Sequence, residues 1–371
     1  MRIGIDAKWF FSGNPSGREV VRNLVRYLFS GHPEHEFYIF LDRKDRCRGF
    51  PYSQANVHLE YVWGRFNLLS NLFFLNRRGN DLRLDVVVFQ YFAPCFSKFL
   101  RVVYIHDAIF KTHPGFFSFW ERCYFMPMRF LARRAHLIIT VSQAERRRLE
   151  ALGFSGRGGI EVIANGVSRA FRPAEDHDQE EMRQVLHRYS LPDRFLLYVG
   201  RMNARKNIPG LLNAFAQLGE KNVQLILAGV GNLPKQHFGD IIKKHGMSGR
   251  VRFIGRVPDQ DLPLLYAVSC GFAYLSFAEG FGLPVLEALA SGVPVVVSDI
   301  DVMHEVCGNA ALFVDPGDPA AIAVSLRQVI TDGALRRELR TRGLAQAAKF
   351  DWEYSFVKLL DLIVNLKASA P

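Results

Sequence analysis

Two carboxylates, Glu279 and Glu287, stand with seven residues between them around the turn Gly280-Phe281-Gly282. Leu283 and Pro284 follow, and a residue with fixed φ and no N–H suits the first turn of a helix. The preceding run, residues 271–276, predicts a buried strand. Gly292 and the run 293–297 predict a helix stop and the next strand. The acids therefore fall at a strand–loop–helix corner at the carboxyl end of a parallel sheet, where α/β folds bind ligands. Glycines let the backbone come close to a ligand, and N–H groups at a helix start hold an anion. Carboxylates on either side of that anion accept hydrogen bonds from hydroxyls. Hydroxyls flanking a diphosphate describe a nucleotide-sugar.

A second corner supplies cations. Gly200-Arg-Met-Asn-Ala-Arg-Lys206 follows an apolar strand and precedes a helical run from Leu211 to Leu218, so Arg201 and Lys206 approach one anion from a single loop. Lys is a compact point charge and Arg a planar fork, and both suit phosphate. Ala228-Gly-Val-Gly-Asn232 pairs a strand with G-x-G but lacks the third glycine of a dinucleotide fingerprint. Val257 lies in the exit of another strand, within Phe253-Ile-Gly-Arg-Val-Pro258. In the first half, Asn14-Pro-Ser-Gly17-Arg lies between the first strand and a helix. Tyr104-Ile-His106-Asp107 ends a strand, where a His can hydrogen-bond a sugar hydroxyl or polarise a leaving group.

The elements that must position these residues are short apolar runs alternating with helical patterns. Expected strands are 2–6, 37–41, 57–62, 85–89, 101–105, 137–141 and 161–163, then 195–199, 223–228, 251–254, 271–275, 295–297 and 311–313. Most lack polar alternation, as strands covered on both faces do. Alternation with helices predicts parallel, doubly wound sheets. Residues 172–181 are polar and read as linker and helix start, and 350–366 carry helical spacing.

The 371 residues fit two domains better than one. Five cysteines, at 47, 95, 123, 270 and 307, form no C-x-x-C pair and suit a reducing compartment. Neither a signal-peptide core nor a spanning apolar run is present. The net charge of +11 is confined to one half. Residues 1–170 hold 25 Lys and Arg against 14 Asp and Glu, whereas residues 171–371 hold 22 of each. A basic half implies an anionic partner. Segments 64–78 and 116–134 mix bulky apolar residues with basic ones. Each is read either as an interfacial amphipathic helix or as a helix packed on the sheet with a solvated basic edge. Two D-x-D strings, Asp176-His-Asp178 and Asp299-Ile-Asp301, are metal-binding in other settings.

The stretch Glu279–Glu287 resembles the E-x7-E motif of retaining glycosyltransferases of family four. Gly200–Lys206 is similar to that family's Gly-Arg…Lys segment, and His106-Asp107 looks like the HD pair of its mannosyltransferase-like members. Asn165-Gly-Val167 resembles the family's crossover between domains, a turn without a catalytic role. The resemblance implies an α/β fold of the GT-B architecture, two doubly wound Rossmann-like domains facing a cleft. Residues 1–170 would be the acceptor-side domain, 171–350 the nucleotide-sugar domain, and 351–371 a helix returning to the first. It implies that Arg201 and Lys206 grip the donor diphosphate, Glu279 the donor sugar, Glu287 the ribose, and His106 a sugar hydroxyl. The loop at Gly17, the backbone at Val257, and Gly280, Phe281, Gly282 and Leu283 would complete the donor site.

The implied reaction moves a sugar, mannose from a GDP-linked donor, to a glycan or lipid-linked acceptor in surface polysaccharide or glycolipid synthesis. Neither metal nor cofactor is expected, because the two cations balance the diphosphate. Partners are the donor, the acceptor and peripheral contact with an anionic membrane at the cytoplasmic face, without nucleic acid. The different-class alternative is a nucleic-acid or membrane-surface binding module. The nearer one is a sugar-nucleotide epimerase of the same architecture.

Overall fold

A computed structural model describes residues 1–29, 32–64, 66–231 and 235–369. The apolar runs become two all-parallel sheets. The first is built from β1 (Arg2–Asp6), β2 (Glu36–Asp42), β3 (Val57–Val62), β4 (Val86–Gln90), β5 (Leu100–Ile105), β6 (Leu137–Thr140) and β7 (Ile160–Val162), in the order β3-β2-β1-β4-β5-β6-β7. The second contains β8 (Phe195–Val199), β9 (Gln224–Ala228), β10 (Val251–Gly255), β11 (Gly271–Tyr274), β12 (Val295–Ser298) and β13 (Ala311–Val314), in the order β10-β9-β8-β11-β12-β13. Every residue of β4, β11 and β12 is buried, which is why these strands show no polar alternation. Strand order reverses between β1 and β4 and again between β8 and β11. Ligands bind outside the carboxyl ends of strands at such reversals.

The chain divides into two compact units, Met1–Gly166 with Asp351–Pro371, and Val167–Phe350. Helix Trp352–Ala368 belongs to the first unit. Asp351 caps it by accepting the Glu353 N–H at 2.6 Å. Its Ser355 Oγ donates to Ala164 O at 2.7 Å and Lys358 Nζ to Val162 O at 3.1 Å. Buried Trp352 stacks on Phe356 with ring centroids 5.4 Å apart. Asn165-Gly-Val167 passes directly beneath this helix start. A Cβ on Gly166 would lie 2.3 Å from the Trp352 nitrogen, so only glycine fits.

The polar stretch 172–181 is ordered. It forms a tight turn, Ala174–Asp176, and the start of helix Gln179–Arg188. Asp178 of the first D-x-D string caps that helix, accepting from Glu180 N at 2.7 Å and Glu181 N at 3.1 Å. Asp299 of the second string faces His304 Nε2 at 2.6 Å, and Asp301 begins helix Asp301–Cys307. Arg65 and Asn232 lie outside the described residues. Both basic-aromatic segments are helical and split their faces. Ser70, Asn71 and Leu75 are buried while Phe73 and Phe74 are exposed. Met128, Leu131 and Ala132 enter the core while Phe119, Trp120, Met126 and Phe130 stay outside. No helix among the described residues is long and apolar enough to cross a membrane.

Replacing Gly166 by Ala forces the backbone away from the Trp352 turn. Gly166→Ala should lower stability by about 2 kcal/mol or more in chemical denaturation. Wild-type stability in this variant would mean that the close approach is not needed.

Candidate active site

The second unit's reversal point carries a buried ionic cluster. Beyond β8 the backbone turns at Gly200 (φ 154°) and forms a single helical turn, Ala204–Lys206. Asn207 then enters the left-handed region (φ 52°) and caps helix Ile208–Ala216, accepting the Gly210 N–H at 3.2 Å. Asn tolerates this conformation better than most residues. The reversal turns Lys206 inward, where it is 7% exposed. Its Nζ donates to Glu279 Oε1 and to the Tyr274 hydroxyl. It also stands 4.6 Å from the Tyr274 ring centroid. Arg205 Nη1 lies 2.8 Å from Glu279 Oε2 and also holds Ala278 O.

Glu279 is thus clamped by Lys206 and Arg205 while 6% exposed. Burial opposes its ionisation, but Arg205 and then Lys206 overcome that and bring its carboxyl down to about 2. The same surroundings push the Tyr274 hydroxyl well up, first through burial and then through Glu279. The strand exits are tied together by backbone bonds. Gly200 N donates to Ala228 O at 3.0 Å, Gly229 N to Gly255 O at 2.7 Å and Phe277 N to Arg205 O at 2.9 Å. Val257, buried, lies just past the last of these glycines.

Arg201 sits apart. Its side chain is exposed and makes no hydrogen bond or ion pair among the described residues. Its carbonyl accepts from the Tyr198 hydroxyl at 2.9 Å. Of the two cations taken from the sequence, the fold brings Lys206 to Glu279 and leaves Arg201 open. Arg205, their neighbour, supplies the second contact. Glu287 is half-buried on helix Leu283–Ala290 and accepts the Tyr266 hydroxyl at 2.9 Å. Gly280, Phe281, Gly282 and Leu283 are all buried. Gly282 takes φ 111°, a conformation that favours glycine, and a Cβ there would displace the tip of Met303, whose Cε would lie 2.7 Å away. Phe281 packs edge-on against Phe350 at 5.8 Å.

The first unit's reversal point carries a second cluster that the sequence did not disclose. Asp6 ends β1, and buried Lys8 places Nζ 2.5 Å from Asp6 Oδ1 and from Asn71 Oδ1. Asn71 Nδ2 returns to Asp6 Oδ2 at 3.0 Å, and Gln90, ending β4, donates its N–H to the same oxygen at 3.3 Å. Burial lowers the Lys8 ammonium from its usual range, against the pull of Asp6. His106 follows β5, with Nε2 2.8 Å from Gln90 Oε1 and its ring stacked on Tyr104 at 4.8 Å. Burial brings His106 down to about 4, so the imidazole is neutral near pH 7. With Nε2–H assigned as donor to Gln90, Nδ1 is an acceptor. Gln90 Nε2 is buried without a partner among the described residues. Behind His106-Asp107, Glu145 accepts the Ala108 N–H at 2.7 Å and pairs with Arg148.

Gly17 is buried beneath Trp9. Its N–H, expected to reach a donor phosphate, is held by Asn14 Oδ1 at 2.6 Å. Asn14 thereby serves as the cap of helix Pro15–Phe29.

With this geometry in view, comparison with known proteins decides the family. The family description "Glycosyl transferases group 1" matches residues 178–346, and "Glycosyltransferase Family 4" matches residues 18–171. The chain belongs to the family 4-like glycosyltransferases. It is 39% identical over 223 residues to O-antigen chain mannosyltransferase B of Escherichia coli, covering 59% of this chain and 58% of that protein. The chain therefore matches little more than half the length of that relative. Sucrose-phosphate synthase of Thermosynechococcus elongatus superposes with a TM-score of 0.79 at 19% identity, covering 100% of both chains. HepE of Anabaena, solved with UDP and glucose, gives 0.75 at 20% identity, covering 98% of this chain and 99% of that one. These likenesses establish the GT-B fold for this family member.

The Glu279 carboxyl titrates lower in the folded chain than in the unfolded one. The unfolded state therefore binds more protons between about pH 4.5 and about pH 2, and stability falls as the solution is acidified through that window. Glu279 should contribute on the order of 3 kcal/mol that is lost there. In denaturant titrations across this range, Glu279→Gln should show a flatter acid limb and lower stability at neutral pH. An unchanged acid limb would separate Glu279 from the two cations.

Proposed function

We propose that the chain is a retaining glycosyltransferase that moves a mannose-type sugar from a GDP-linked donor to a glycan or lipid-linked acceptor in surface polysaccharide or glycolipid synthesis. One observation carries this reading: two cations, Lys206 and Arg205, converge on buried Glu279 at a strand-order reversal, and Arg201 is exposed in the same loop. A corner with an excess cation favours an anion, and a diphosphate matches it. The similarity to O-antigen chain mannosyltransferase B of Escherichia coli supports the sugar class and the setting.

In this reading Arg201 and Lys206 hold the donor diphosphate, and Glu279, fixed by Arg205, orients the sugar. Glu287 accepts from the ribose, with Tyr266 fixing its carboxylate. The loop at Val257 borders the base. The bond between the sugar carbon and the diphosphate oxygen breaks, and its electron pair leaves with the diphosphate. The acceptor hydroxyl attacks that carbon from the same face and gives its proton to a departing phosphate oxygen. Stabilisation of charge that appears only as the bond breaks is where cations accelerate most. No side chain is asked to act as nucleophile and no metal to balance the charge. His106 Nδ1, held neutral, accepts a hydrogen bond from a sugar hydroxyl.

Peripheral contact with an anionic membrane is part of the same proposal. Phe119, Trp120, Met126 and Phe130 are exposed and interleaved with exposed Arg122, Arg129 and Arg133. Aromatic residues mixed with cations suit a headgroup interface.

Lys206→Ala and Glu287→Ala should each keep the circular dichroism of the wild type and lose sugar transfer from GDP-mannose. For Lys206 the fall in kcat should be about a hundredfold or more, and EDTA should leave the wild-type rate unchanged. Wild-type turnover in both variants would remove this corner from the chemistry. Trp120→Ser/Phe130→Ser should reduce co-flotation with phosphatidylglycerol vesicles without altering transfer to a soluble acceptor. Unchanged flotation would discard the membrane contact.

A further inference from the structure

A cavity of about 360 Å³ opens in the first unit at the amino ends of its strands. Asp85 precedes β4, Leu100 begins β5 and His136 precedes β6, and all three line it. His106 follows the carboxyl end of β5. The length of that strand, roughly 17 Å at about 3.3 Å per residue, therefore separates the cavity from the His106 rim. Cations dominate the lining: Lys98, Arg101, Arg134, Arg157 and Lys367. Lys367 is answered by Asp85 at 2.9 Å. The other four form no ion pair among the described residues.

Arg101 is the anchor. It is 5% exposed, and its Nε and Nη2 donate to Arg134 O at 3.2 and 2.8 Å while Nη1 donates to Ser97 Oγ at 2.9 Å. These bonds fix a guanidinium in place without neutralising it. Burial first, and then repulsion from Arg157 and Arg134, lower the Arg101 guanidinium below its ordinary value. Burial, Arg101 and Arg157 likewise bring His136 down to about 4, so it adds no charge near neutrality. Arg134 also lies 5.8 Å from the ring centroid of Phe96, which is 76% exposed. Asp85, the carboxylate in the lining, is taken up by Lys367, so the remaining four cations repel one another and a bound anion relieves that repulsion.

We propose that this cavity is a binding site for a phosphate-bearing anion, separate from the donor corner. Arginine forks pair with phosphate oxygens two bonds at a time, and the volume falls within the range of small-ligand pockets. The phosphate belongs either to a soluble phosphorylated molecule or to a lipid headgroup, and Phe96 beside Arg134 suits the apolar edge of either.

The test uses the full chain, with inorganic pyrophosphate as probe in calorimetry and phosphatidylglycerol vesicles in flotation. Saturating GDP is present in both, and Arg205→Ala is the control for the donor corner. Arg134→Ser/Arg157→Ser leaves the structural Arg101 in place, and circular dichroism checks its fold. The double variant should weaken pyrophosphate binding about tenfold or more, while Arg205→Ala leaves that binding intact. Loss in calorimetry alone assigns a soluble phosphate, and loss in flotation assigns a headgroup. If the folded double variant binds pyrophosphate and vesicles as the wild type does, the proposal is overturned. Because no outcome depends on sugar transfer, failure of the transferase reading leaves this result standing.

Discussion

The Glu279 carboxylate, buried between Lys206 and Arg205, is the constraint on which the corner between the loops after β8 and β11 depends. Removing a carboxylate from water costs several kcal/mol unless cations and hydrogen bonds answer it. Here the answer comes from a different strand exit, so the ion pairs stitch the loop after β8 to the loop after β11. The backbone bond from Phe277 to Arg205 repeats the stitch with uncharged groups, and the Arg205 guanidinium adds a bond to Ala278 O. The charges are consequently set before any ligand arrives. A preformed field of this kind acts on a developing charge without reorganising.

The two reversal points use the same topology with different electrostatics. In the first unit Lys8 and Asp6 balance each other, and Asn71 and the Gln90 backbone complete a closed set of hydrogen bonds. His106 beside them is neutral. That rim suits uncharged hydroxyl groups. In the second unit two cations share one carboxylate, which suits an anion.

Most of the strands were legible because buried parallel strands are continuous apolar runs. β1, β3 and β8 have the limits their composition predicts, and the others differ by a residue or two at an end. Asp85, expected in β4, stays outside it because its carboxylate accepts the Arg2 N–H at 2.8 Å. The E-x7-E corner was legible for a similar reason, since its glycines, proline and acids are contiguous. The partner of Glu279 was only half legible. Lys206 was visible, but whether Arg201 or Arg205 joins it depends on a single helical turn and the left-handed Asn207, which charge spacing does not encode. The Asp6–Lys8–Asn71–Gln90 cluster was hidden because the bonds that tie Asp6 and Lys8 to Asn71 and Gln90 join residues 63 to 84 positions apart. Four cations converging on one cavity were equally hidden, arriving from the starts of separate strands and the loops before them.

Helix Trp352–Ala368 completes the unit that begins at Met1, while Val167–Phe350 forms a unit by itself. During synthesis the middle of the chain is therefore whole before the beginning is. As the ribosome releases it, the second unit has all its strands while the first still lacks the helix that covers Ala164 and Val162. Helix Trp352–Ala368 acts as a latch on the first unit, and it can close only after the second unit has emerged whole.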